Sequence, residues 1–167
     1  MRGQTPLHSA AQNGHLEVCR LIMNNVIDRN PKDQRGVTPL HLAAYGGHLE
    51  VCRHIMESNR DFCEPLKNPK DRWGQTPLHR AADSGHLEVC LLIFEYVQDK
   101  NPRDYQGYTP LHIAAERGHL EICRLITSYV EEKHPLTFFG HTPLDSAQIG
   151  GNPEIMEYFA KIKRGKL

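Results

Sequence analysis

Thr109-Pro110-Leu111-His112-Ile113-Ala114-Ala115-Glu116-Arg117-Gly118-His119-Leu120-Glu121 is a phrase that this chain says more than once. Its opening word, Thr-Pro-Leu-His, stands also at Thr5, Thr38 and Thr76, and a worn copy, Thr-Pro-Leu-Asp, begins at Thr142. The five starts lie 33, 38, 33 and 33 residues apart. A fixed period of this size describes a solenoid of stacked units rather than one globular core. Such a stack offers a long open surface and no enclosed pocket.

The rest of the phrase recurs in fixed order. Paired alanines follow each opening (Ala10-Ala11, Ala43-Ala44, Ala81-Ala82, Ala114-Ala115), and then comes Gly-His-Leu-Glu from Gly14, Gly47, Gly85 and Gly118. Ahead of the later copies stands Asp-x-x-Gly, from Asp33, Asp71 and Asp104. Each word has a local meaning. Threonine suits a helix N-cap and proline the first helical position. The glycine after the alanines can take a positive φ and end a short helix. Leu16, Val18, Cys19, Leu21 and Ile22, and likewise Leu120, Ile122, Cys123, Leu125 and Ile126, have the spacing of a second, amphipathic helix. Asp-x-x-Gly reads as a tight turn.

With these words, order and period, the chain resembles the ankyrin repeat family. The resemblance implies an α-solenoid in which paired antiparallel helices alternate with β-hairpin fingers. It divides residues 1–167 of a single domain into units at about 1–32 (partial), 33–70 (with an insertion), 71–103, 104–136 and 137–167 (a C-terminal cap). The end units should differ from the inner ones, because each has a neighbour on one side only. The last has Asp145 for His, Gln148 for the second Ala and Asn152-Pro153 for His-Leu, and a Gln there suits a face that meets water. The first is cut short before Thr5, which raises the alternative of a module excised from a longer array, a targeting or regulatory part of a larger enzyme or channel.

Two departures stand out. Val26, Val97 and Val130 occupy positions where many units of the family carry glycine, so the second helix is expected to run about one turn further, ending before Pro31 in the first unit. The long interval places five extra residues within Asn59 to Lys67, around Phe62, Cys63 and Pro65. That reads as a tolerated surface loop.

Twenty basic and twenty acidic residues cancel, which argues against a nucleic-acid partner. No apolar run is long enough to cross a membrane and no secretory signal is evident. Cys19, Cys52, Cys90 and Cys123 share one register and read as small buried hydrophobes, reduced and unpaired like Cys63. Reduced thiols point to the cytoplasm or nucleus.

Of eleven histidines, eight belong to the repeat words. The resemblance implies that they hydrogen-bond backbone and neighbouring units. A His and a Cys four apart recur (His15/Cys19, His48/Cys52, His86/Cys90, His119/Cys123), which is half of a zinc site, and each pair lacks further ligands. No unit makes one Cys special as a nucleophile. The expectation is a chain with no catalytic centre, metal or cofactor.

The informative residues are those that the repeat leaves free. The resemblance implies that partners meet the finger tips and the outward positions of the first helices, on the concave face. Six of the twelve aromatics fall there: Tyr45, Trp73, Tyr105, Tyr108, Phe138 and Phe139. Arginines join them, and interface hot spots favour Trp, Tyr and Arg. The expected contacts are Arg35, Tyr45, Arg72, Trp73, Arg80, Tyr105, Tyr108, Ile113 and Arg117. Together they describe a monomeric scaffold for a protein or peptide, centred on units two to four.

Overall fold

The computed structural model describes residues 3–59 and 68–164. Each unit contributes one helix pair: α1 Pro6–Gln12 with α2 Leu16–Met23, α3 Pro39–Tyr45 with α4 Leu49–Ser58, α5 Pro77–Ser84 with α6 Leu87–Tyr96, α7 Pro110–Arg117 with α8 Leu120–Tyr129, and α9 Pro143–Gly150 with α10 Pro153–Lys163. The first helices stack as α1, α3, α5, α7 and α9, and the second as α2, α4, α6, α8 and α10. The stack is the all-helical solenoid that the repeat words imply.

The first helices are short because both ends are specified. Thr5, Thr38, Thr76, Thr109 and Thr142 are extended N-caps with proline directly after them. At the far end Gly85 and Gly118 take the left-handed conformation, with φ of 80° and 89°. Gly85 is doubly required, since a Cβ on it would lie 2.6 Å from Cε1 of His119 in the next unit. The paired alanines are buried between neighbouring first helices, where a larger side chain would force the stack apart.

The fingers are turns, not the expected β-hairpins. Each closes on itself through one bond across its base, such as Asp71 N–H to the Gln75 carbonyl at 2.9 Å. Each meets the next through one bond, Arg72 N–H to Arg35 O at 2.8 Å and Tyr105 N–H to Trp73 O at 2.9 Å. A finger of five residues has too few amides for a ladder, and none of the described residues is in a strand. Further stitches run along the fingers' bases: Lys32 Nζ donates to Lys70 O at 3.1 Å, and Lys70 Nζ to Arg103 O at 3.0 Å.

The core runs unbroken through the units. Leu7, Leu40, Leu78 and Leu111 fill one row, and Val51, Val89, Ile122 and Ile155 another. Cys19, Cys52, Cys90 and Cys123 are buried and free, as their register implies, whereas Cys63 and the inserted residues 60–67 lie outside the described residues. Leu87 packs against this core half-buried.

The first unit corrects two expectations. Val18 and Leu21 are 46% and 68% exposed, because α2 has only α4 beside it among the described second helices. α2 also stops at Met23 and leaves Val26 exposed. Asn24 caps it, and Asn25 Nδ2 donates to Leu21 O at 2.7 Å, a local bond by which asparagine competes with helix propagation. In units three and four the helix does run to the residue before the valine, where Val97 and Val130 turn into extended backbone. At the other end, Gln148 is exposed as expected.

Candidate partner-binding groove

The groove rests on a shelf of buried histidines. The amide of Thr38 donates to His41 Nδ1 at 3.2 Å, so Nδ1 is the bare nitrogen and Nε2 carries the proton. Nε2–H then donates across the unit boundary to Gln75 O at 3.0 Å. His8 reaches Val37 O, His79 reaches Tyr108 O and His112 reaches His141 O in the same way, at 3.0, 3.2 and 3.0 Å. Burial favours the neutral ring in three of them, lowering His41 to about 4 and His79 to about 3, and His112 in the same direction. Each bond pins the residue behind a finger glycine to the preceding first helix, and so sets the height of the finger. In the fifth unit Asp145 Oδ2 accepts from the Thr142 amide and hydroxyl, both at 2.7 Å, which keeps the cap without an outward donor.

The fingers owe their shape to an acidic residue. Asp71 Oδ1 accepts from the amides of Trp73 and Gln75 at 2.9 and 3.0 Å, and Asp33 and Asp104 repeat the pattern. Thr137 Oγ1 substitutes for them in the fifth finger. The second carboxylate oxygen is left for side chains. Asp71 Oδ2 takes Arg80 Nη2 at 2.7 Å, Asp33 Oδ2 stands 3.8 Å from Arg35 Nε, and Asp104 Oδ2 takes Gln75 Nε2 at 3.5 Å.

All nine expected contacts line one groove. Its first section, about 370 Å³, is walled by Arg35, Leu42, Tyr45, Trp73 and Arg80. The middle section, about 460 Å³, holds Arg72, Trp73, Arg80 and Tyr105. The last, about 300 Å³, holds Arg80, Tyr108, Ile113, Glu116 and Arg117. Arg80 borders all three sections, so they are one continuous surface. Trp73 is 42% exposed, with the Arg72 guanidinium 4.1 Å and the Arg80 guanidinium 5.9 Å from its ring centroid. Tyr105, 64% exposed, lies over Gly74, where a Cβ would meet its ring at 2.7 Å. Tyr108 is half-buried and stands edge-on to His112, 5.7 Å between centroids.

Val37, in the second finger, and Ser146, in α9, are buried. The acids Asp83 and Asp104 also line the groove, and Asp71 is buried behind it holding Arg80, a role beyond the turn that Asp-x-x-Gly implies. Its signal was present in Asp71 and Arg80, nine apart across a finger and its helix. The His/Cys pairs do not converge. His48, His86 and His119 donate Nε2 to Gln12 O, Tyr45 O and Asp83 O, at 2.9, 3.1 and 3.3 Å, while the cysteines face the core. Burial pushes the thiols of Cys52, Cys90 and Cys123 up to about 12, far from a thiolate at neutral pH. Among the described residues no three His, Cys, Asp or Glu side chains are gathered as a metal would need.

The chain matches the family described as Ankyrin repeats (3 copies) in three overlapping stretches, residues 1–65, 58–135 and 98–166. It belongs to the ankyrin repeat family, whose members are typically protein–protein interaction modules. No curated protein matches it. No described helix is long and apolar enough to cross a membrane.

Proposed function

We propose that the chain is a non-enzymatic scaffold that binds a partner protein or peptide along the groove of fingers and first helices in units two to four. The observation that carries this reading is the convergence of Arg35, Tyr45, Arg72, Trp73, Arg80, Tyr105, Tyr108, Ile113 and Arg117 on one continuous surface. These residues lie outside the structural words, are large, and sit on a stack whose fingers are held by buried bonds. A partner would therefore meet a surface already in its bound shape, with little ordering cost. The groove arginines are mostly answered by aspartates, which supports a protein rather than a nucleic-acid partner. We place it as a monomer, in the cytoplasm or nucleus, working without a cofactor.

The test is affinity capture from the source cell with the wild-type chain and with Trp73→Ala as the paired bait. The reading requires a partner that the wild type retains and Trp73→Ala loses, with both baits equally folded by circular dichroism. A partner held equally by both, and lost on substitution of Glu57 on the opposite face, sinks it.

A further inference from the structure

The groove's charges are not equally available. Two of its four arginines are gripped by carboxylates, Arg80 by Asp71 and Arg117 by Asp83, and a third, Arg35, stands 3.8 Å from the Asp33 carboxylate without a hydrogen bond to it. The side chains of Asp33 and Asp71 are fully buried, so the charge of Arg35 and Arg80 is answered inside the protein before a partner arrives. Separating such a pair leaves a buried carboxylate alone, which is costly. A partner therefore meets these arginines as walls rather than as free cations.

Arg72 is different. Its guanidinium lies on the face of Trp73, and it makes no ion pair among the described residues. At the far section Glu116 is half-buried and, among the described residues, likewise makes no ion pair. Asp104 borders both sections and is taken up by the amides of its own finger and by Gln75. The groove thus has an unpaired positive charge in its middle section and an unpaired negative charge in its last section. Trp73 and Tyr105 share the section of Arg72, and Tyr108 shares that of Glu116.

We propose that the groove reads a partner segment in one orientation, with an acidic side chain at Arg72, an aromatic or aliphatic side chain over Trp73 and Tyr105, and a basic side chain at Glu116. This rests on the groove being the binding site. It adds the partner's chemistry and its direction along the stack. Unpaired opposite charges in two sections of one groove set register and encounter more than affinity. The anchor supplies the affinity, and reversing the segment places like charges together in both sections.

The experiment uses a displayed library of random peptides selected on the full chain, with Trp73→Ala and the double variant Arg72→Glu/Glu116→Lys as parallel baits. The expected wild-type binders are lost on Trp73→Ala and carry an acid and a base on opposite sides of an aromatic or aliphatic residue. A synthetic consensus peptide and its counterpart with acid and base exchanged are then titrated against wild type and the double variant. The wild type should favour the first by about two- to fivefold for each charge pair, and the double variant should favour the exchanged peptide. Binders lost on Trp73→Ala but without that charge order, or an unchanged preference in the double variant, overturn the charge register and leave the groove reading standing. Binders indifferent to Trp73→Ala, or none at all, overturn the groove reading and this proposal with it.

Discussion

The histidine shelf and the aromatic groove arise from the same turns, a few atoms apart, and the repeat treats them in opposite ways. His8, His41, His79 and His112 make one bond geometry four times, each buried and each crossing to the next unit. Their neighbours on the open side are Arg35 in the second finger, Arg72 and Trp73 in the third and Tyr105 in the fourth, with no two fingers alike. The first row repeats because a finger can be held at one height in only one way. The second varies because nothing inside the chain depends on its identity. The difference teaches where stability and recognition lie: loss of a shelf residue should destabilise the protein, and loss of a groove residue should leave it as stable and weaken binding.

Acid is the bluntest way to break the shelf. Histidine in an unfolded chain titrates near 6.5, whereas burial lowers His41 to about 4, His79 to about 3 and His112 in the same direction. Asp71 beside the first two and Asp104 beside His112 favour the charged form, and desolvation outweighs them. The unfolded chain then binds more protons than the native one, so stability is intact above about pH 6.5 and falls as the pH drops towards 4. Between pH 7 and pH 5 His41 and His79 should each cost about 2 kcal/mol. Urea unfolding followed by circular dichroism across that range should show the loss, and a flat profile would contradict buried neutral rings.

A single rung comes next. His79→Ala removes the acceptor of the buried Thr76 amide and the donor to the part-buried Tyr108 O. Two unanswered backbone groups and a void should cost about 2–4 kcal/mol. Equilibrium unfolding measures it, and a loss under about half a kcal/mol would mean that the rungs are decoration.

Much of this comparison was legible in the repeat words. Helices, caps, core rows and the set of groove residues follow from residue type and period, because the same local physics recurs every unit. What escaped reading depends on partners far along the chain. Asp71 looked like a turn residue, and only the stack shows its second oxygen gripping Arg80. The fingers lack strands because a ladder needs more amides than their turns offer, a matter of length that the motif does not state. α2 ends early through two asparagines whose effect competes with an otherwise apolar stripe.

The groove row should behave in the reverse sense. Trp73→Ala removes a ring that is 42% exposed and makes no hydrogen bond through its side chain in the structure. Partner affinity should fall by about 1–3 kcal/mol, as for an interface anchor. The melting temperature should hardly move. Isothermal titration and a thermal melt on the same preparation decide it: early melting would place Trp73 with the shelf and erase the distinction.

The smallest effect lies at the groove's edge, where the two rows can be compared through one residue type. Arg80 and Arg117 both pair with an aspartate at close range, 2.7 and 2.6 Å. Their surroundings differ. Asp71 is fully buried, while the Arg117 side chain is 56% and its partner Asp83 25% exposed. Arg117→Ala therefore leaves a carboxylate that water can solvate, and should change stability by only about 0–1 kcal/mol, less still at high salt. Arg80→Ala leaves the Asp71 carboxylate buried without its cation and should cost more, about 1–3 kcal/mol, at any ionic strength. Urea unfolding of the two variants at low and high salt tests the pair. Equal losses, or a loss for Arg80→Ala that salt abolishes, would mean that Arg80 is a free surface cation. The charge register argued for Arg72 and Glu116 would then need Arg80 counted among the charges that a partner can reach.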